Sequence, residues 1–192
     1  MSTTTRLITA DELLVMPHRD EHGNQCRFEL IRGELFVKKL FSPAHGVLCS
    51  EIVTAIGTFV EAHDLGLVFG TGTGYVVGRN PDSVVGVDAA FVSHERLSEV
   101  EDFDFFLPFA PDLGVEVLSL NDTADEITEK VSIYFAAGSR VVWVFNPKKR
   151  TAAVYTSPTD VRILSEHETL EGGEVLPGFK LELSKLFSVG KR

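Results

Sequence analysis

Two acids stand where acids are costly. Asp88 lies in the run Val84-Val85-Gly86-Val87-Asp88-Ala89-Ala90-Phe91-Val92, and Glu116 lies in Leu113-Gly114-Val115-Glu116-Val117-Leu118. Both runs read as interior strands, apolar on both faces. An unpaired carboxylate in such a place carries a large desolvation cost, so it must be neutralised, paired or metal-bound. Two of them on neighbouring strands repel each other unless a cation sits between them. Magnesium suits this arrangement, since it takes one or two carboxylates, a few waters and the phosphate oxygens of a substrate. The alternatives are a salt bridge to an arginine such as Arg140, or a strand end that is open to water.

Lys130 adds a fixed charge. With Ile127, Val131, Tyr134 and Phe135 taken as the buried face of a helix, Lys130 falls at the rim of that face. From there it can reach over the sheet and stabilise a pentavalent phosphorane-like state or lower the pKa of an attacking water. The alternative is a lysine that merely solvates a helix flank. His45, in the first turn of an earlier helix, meets the positive end of the helix dipole, which favours a neutral ring. A lone histidine there also serves as a packed or capping residue. Glu29, between Phe28 and Leu30 on an alternating strand, reads equally as surface. His18 and His22 lack a third ligand nearby in sequence. The Gly70–Gly74 stretch has neither dinucleotide nor phosphate-loop spacing and reads as a tight turn.

These residues need elements to hold them. Thr9 and Glu12 form a capping box ahead of a short helix that Pro17 stops. Arg27–Ile31 and Glu34–Leu40 read as a hairpin with Arg32-Gly33 at the turn. Ser42-Pro43 opens a long helix to about His63, with Leu48, Ile52, Ala55, Ile56 and Phe59 on its apolar face. Leu67–Phe69, Tyr75–Val77, Val84–Val92 and Leu113–Leu118 read as strands. Phe103–Phe109 is aromatic and irregular, a lid, a dimer contact or a loop folded on its own core. Thr123 and Glu126 form a second capping box, and the helix they open ends at Gly138. Val141–Phe145 is a buried strand. Ala152–Thr156, Val161–Leu164 and Glu174–Leu176 are three shorter extended segments, followed by a last turn that ends at Phe187. The order predicts a mixed α/β sheet flanked by helices, in one domain over residues 1–192. Leu113 to Phe145 makes a parallel βαβ crossover.

Composition sets outer bounds. The chain has 192 residues and a formal net charge of −10, which disfavours coating duplex DNA or an anionic membrane by bulk charge. It leaves room for a local basic groove, and Lys38-Lys39 and Lys148-Lys149-Arg150 are the compact basic clusters. Two cysteines, Cys26 and Cys49, exclude a disulfide framework and a thiolate zinc cage. The longest strictly apolar run is Val141–Phe145, far short of the roughly 20 residues that span a bilayer. The expectation is a cytoplasmic protein without a membrane partner.

Phe28-Glu29-Leu30-Ile31-Arg32-Gly33-Glu34-Leu35, Ser42-Pro43-Ala44-His45, Asp88-Ala89-Ala90-Phe91-Val92, Val115-Glu116-Val117-Leu118-Ser119, Glu129-Lys130 with Tyr134 and Val142-Trp143-Val144, and Leu176-Pro177-Gly178-Phe179 occur in an order that resembles the Uma-family restriction endonucleases. That family is a branch of the PD-(D/E)XK nuclease superfamily, and the resemblance runs from Thr9 to Phe187. It implies a restriction-endonuclease-like core with a central mixed sheet, and a DNA endonuclease using Mg2+ or Mn2+. It implies that Asp88 and Glu116 ligate the metal together with the Val117 carbonyl, and that Lys130 orients the attacking water. Lys130 stands in for the lysine usually two places after the acid, where this chain has Leu118. Glu29 and His45 match two further polar positions of the catalytic cleft, where Glu29 could bind a second cation or a metal water, and Val87 replaces the usual proline before Asp88. Cutting both strands usually takes two active sites, so a homodimer is expected. Two rival functions carry the same fold: a non-catalytic interaction subunit, and a phosphodiesterase acting on small molecules.

Overall fold

The computed structural model describes residues 6–20, 22–38, 41–119 and 122–189. The expected Lys39 and Leu40 end of the hairpin lies outside the described residues, as does Lys39 of the first basic cluster. After helix α1 (Ala10–Leu14), whose Thr9–Glu12 capping box is fully formed, come strands β1 (Arg27–Ile31) and β2 (Glu34–Lys38). Their antiparallel register pairs Ile31 with Glu34, and the turn between them places Arg32 and Gly33 both at positive φ, the twist a two-residue hairpin needs. Helix α2 (Pro43–His63) starts where Ser42 caps the His45 amide and Pro43 fills the first turn. It is long and apolar enough to cross a membrane by length and composition alone, but here its stripe of Leu48, Ile52, Ile56 and Val60 is buried in the core.

Strands β3 (Gly66–Gly70), β4 (Gly74–Gly78), β5 (Ser83–Gly86) and β6 (Ala89–Ser93) follow, then the one-turn helix α3 (His94–Leu97), β7 (Leu113–Val117), helix α4 (Ala124–Ala136) and β8 (Val141–Asn146). The chain closes with β9 (Thr151–Tyr155), β10 (Val161–Ser165), β11 (Thr169–Glu171), β12 (Lys180–Glu182) and α5 (Leu183–Leu186). A six-stranded sheet runs β10-β9-β8-β7-β6-β3, antiparallel except for the parallel β7–β8 pair that α4 connects. This is the predicted crossover in the predicted mixed sheet. A four-stranded antiparallel sheet, β2-β1-β5-β4, stands beside it. The six-stranded sheet has an apolar cluster on each face. Ala89, Phe91, Val115, Val117, Trp143 and Phe145 pack with α2, whereas Ala90, Val92, Val142 and Val144 pack with Val131 and Tyr134 of α4.

Three sequence expectations need correction. The run Val84–Val92 is two strands in two different sheets, broken at Val87-Asp88. Each half is buried, so apolar content alone cannot show the break. The break is held by the Asp88 amide, which donates to the Val115 carbonyl at 3.0 Å, and by the Thr71 hydroxyl, which donates to the Asp88 carbonyl at 2.9 Å. Glu174–Leu176 is a turn rather than a strand, and the extended pair lies to either side of it, as β11 and β12. The aromatic stretch divides: Leu107 and Phe109 are buried and Leu107 bridges to Tyr75, while Phe103 and Phe105 are more than half exposed.

Candidate active site

The two sheets meet where the chain passes from β5 to β6, and a cavity of about 420 Å³ opens there. Asp88, Glu116, Val117, Glu29 and Lys130 all line it. They come from the β5–β6 break, the C-terminal half of β7, β1 and α4, so sequence separations of up to 101 positions close onto one pocket. His45 stands directly behind it on α2.

Each placement has a local cause. Alternation along β1 turns Phe28 and Leu30 toward the small core under α1, which leaves Arg27 and Glu29 on the other face, at the cavity. Glu29 is 7% exposed, so the surface reading fails. Alternation along β7 sends Val115 and Val117 into the α2 core and turns Glu116 toward α4. Asp88, at the head of β6, accepts a hydrogen bond from the Val117 amide through Oδ2 at 2.8 Å. The aspartate thus ties the strand break to the end of β7.

The ion pairing is a chain. Lys130 Nζ lies 3.0 Å from Glu116 Oε1 and 3.2 Å from Glu29 Oε1, and Lys38 Nζ lies 3.0 Å from Glu29 Oε2. The Tyr134 hydroxyl donates to the same Glu116 Oε1. The arginine alternative fails as well: Arg140 faces Asp112, with 4.0 Å between Arg140 Nη1 and Asp112 Oδ1. Neither Asp88 nor Glu116 pairs with an arginine among the described residues. Lys130 is therefore drawn into the pocket rather than snorkelling.

Burial pushes the Glu116 carboxyl above its ordinary range. The charges of Asp88 and Glu29 add to the rise, and Lys130 and Tyr134 oppose it without cancelling it. Burial works against the Lys130 ammonium too, but Glu116 and Glu29 outweigh it and hold that pKa above its ordinary value. Desolvation also drives the Tyr134 phenol well up, so it acts as a donor.

His45 Nε2 sits 2.9 Å from the Val117 carbonyl and 3.2 Å from Asp88 Oδ2, and its Nδ1 lies 3.3 Å from Cys49 Sγ. Burial, followed by the charge of Asp88, pushes the Cys49 thiol up to about 12, so the sulfur keeps its proton. With the thiol donating to Nδ1, Nε2 carries the ring proton and donates to Val117. His45, Cys49 and Asp88 come close enough together to hold an ion. A protonated thiol is a poor ligand, however, and the hydrogen bonds already account for the group.

Sequence reasoning passed over three neighbours. Tyr134 reads in sequence as a core residue and a signature position without a role, although it lies four places from Lys130 on the same helix face. Arg27 lies two places from Glu29 on an alternating strand and shares its face. Lys38 was seen as basic, but its partner was not. The second basic cluster sits away from the cavity: Arg150 bonds to Glu166 and to the Phe187 carbonyl, and Lys148 and Lys149 are exposed.

Residues 10–184 match the family Uma2, described as "putative restriction endonuclease". The chain belongs to this family. No curated protein matches it. Among solved structures it is similar to a chain from Anabaena variabilis ATCC 29413, described as a "putative nuclease" of DUF820. The TM-score is 0.76 and the identity 21%, and the match covers 94% of this chain and 98% of that one. At that identity the likeness speaks for the fold, which is the nuclease-like mixed sheet of the family.

Proposed function

We propose that this chain is a divalent-metal-dependent endonuclease that hydrolyses phosphodiester bonds of DNA in the Asp88–Glu116 cavity. The observation that carries the reading is how the three buried acids use their oxygens. Among the described residues, Asp88 makes its side-chain contacts through Oδ2 and Glu116 through Oε1, so each keeps a second oxygen for a ligand. Glu29 gives both oxygens to lysines. The donor set is all oxygen, three buried carboxylates against two paired ammonium groups, which fits a hard cation.

Asp88, Glu116 and the Val117 carbonyl are the residues that would hold Mg2+ or Mn2+, which supplies Lewis acidity toward phosphate and a source of hydroxide near neutral pH. The remaining roles belong to the chain's own groups. Lys130, fixed between Glu116 and Glu29, places a positive charge where a pentavalent phosphorus gathers negative charge, and it donates a hydrogen bond that orients the attacking water. Glu29 positions Lys130 and Lys38 through an ion pair to each. Tyr134 fixes the Glu116 rotamer. His45 fixes the Val117 carbonyl and Asp88 from behind, through a ring whose tautomer is set by Cys49.

The test is cleavage of supercoiled plasmid with Mg2+ or Mn2+. The wild-type protein is expected to nick or linearise it, and Asp88→Asn and Glu116→Gln to lose at least a hundredfold in rate while keeping their circular dichroism. Plasmid left intact by the wild type, with hydrolysis of bis-nitrophenyl phosphate retained, would replace this reading with a small phosphodiesterase. Inactivity on both substrates would leave a scaffold.

A further inference from the structure

Arg27 is the cation of the cavity that the catalytic arrangement does not use. The cavity is lined by three basic side chains, Arg27, Lys38 and Lys130. The two lysines are paired with Glu29 and Glu116. Arg27 makes no ion pair among the described residues. Its guanidinium carbon instead lies 4.1 Å above the centre of the Phe41 ring.

Phe41 stacks in turn on the His45 ring, with centroids 3.8 Å apart and an interplanar angle of 13°. His45 is the residue that bonds to Val117 and Asp88. A chain of contacts therefore runs from the guanidinium over Phe41 and His45 to Val117 and Asp88. Across the hairpin, Arg27 pairs in register with Lys38, so both lie on the cavity face of β1–β2.

A stack on an aromatic ring uses the face of a guanidinium and leaves its edge of N–H donors free. That edge matches the two non-bridging oxygens of a phosphodiester, which a guanidinium can grip with two parallel hydrogen bonds. An arginine paired with a carboxylate would have its fork already filled. A lysine in this place would have neither the flat face nor the fork.

The geometry points to Arg27 as a phosphate-binding residue: held on Phe41, its guanidinium takes a backbone phosphodiester of the bound nucleic acid and sets the strand's register against Asp88. The inference deepens the proposed function and rests on it only in taking nucleic acid as the ligand. It also answers the chain's net charge of −10, because register at the cleft then depends on one preorganised contact rather than on a basic surface.

The test is binding of a fluorescent DNA duplex, with EDTA present so that nothing is cut, over a series of salt concentrations. In Arg27→Ala the slope of log affinity against log salt is expected to fall by about one unit, with roughly a tenfold loss of affinity near 0.1 M salt. Arg27→Lys should keep the slope but recover only part of the affinity. Phe41→Leu should weaken binding less than Arg27→Ala does, and should add nothing in the double variant, because with metal withheld the ring reaches the duplex through the guanidinium. A wild-type slope in Arg27→Ala, or a wild-type protein that binds no duplex, overturns the assignment. Cleavage together with an unchanged slope in Arg27→Ala removes only the phosphate site. A slope that drops as expected in a protein that never cleaves removes only the nuclease.

Discussion

A buried aspartate stands beside each end of β7, and the two are bonded in opposite ways. At the N-terminal end, Asp112 is 2% exposed and both its oxygens face groups of the protein. Oδ2 accepts from the Ser93 amide at 2.8 Å, and Oδ1 faces Arg140 at 4.0 Å. Its backbone carbonyl takes the Arg140 and Val141 amides, stitching β7 to β8. At the C-terminal end, Asp88 is 4% exposed but engages through one oxygen, in a cavity shared with Glu116, Glu29 and two lysines. A buried carboxylate that holds an amide with one oxygen and faces a guanidinium with the other is a fastener. One that is half used, beside other acids, keeps an oxygen for the cation proposed above.

The comparison breaks most visibly at Lys130, which binds two of the cavity's acids at once. Lys130→Met leaves Glu116 and Glu29 without their shared countercharge, and should cost about 3–5 kcal/mol of stability at neutral pH in urea unfolding. The pH dependence has a fixed sign. A carboxyl whose pKa is raised by folding binds more protons in the folded state, so stability falls as pH rises. Glu116 is already in that position, and losing Lys130 removes the largest influence holding it down. The variant should therefore be closest to wild type at or below the ordinary glutamate value of 4.5, and should lose ground as pH rises toward neutrality. A deficit that does not change with pH would mean that Lys130 packs rather than neutralises.

At the other end of the strand, Asp112→Ala leaves the Ser93 amide without its acceptor. About 1–3 kcal/mol should be lost, with plasmid cleavage by the folded fraction unchanged. Loss of activity at full stability would erase the contrast between the two ends.

Much of this was legible in the sequence, and what escaped has a common cause. Capping boxes at Thr9 and Thr123, the Ser42-Pro43 helix start and the Arg32-Gly33 turn are local chemistry, and all formed as read. The acids in apolar runs stood out because burial of charge is costly wherever it happens. The split at Val87-Asp88 did not, since which sheet a strand joins is decided by partners far away in sequence. Glu29 shows the same limit from the other side. Its alternation said which face it occupied, but only the approach of α4 and Lys38 made that face an interior one. The place of Tyr134 and Arg27 at the cavity lay in spacing, four and two residues from Lys130 and Glu29, and neither residue type by itself marked a role.

The central claim is that Asp88 and Glu116 share a cation that Glu29 does not take. Calorimetric titration of Mn2+ into metal-free protein tests it most directly. Wild type and Glu29→Gln should each bind one ion per chain, while Asp88→Asn and Glu116→Gln should bind none. A wild type that takes up no ion, or an Asp88→Asn variant that binds as the wild type does, would contradict it.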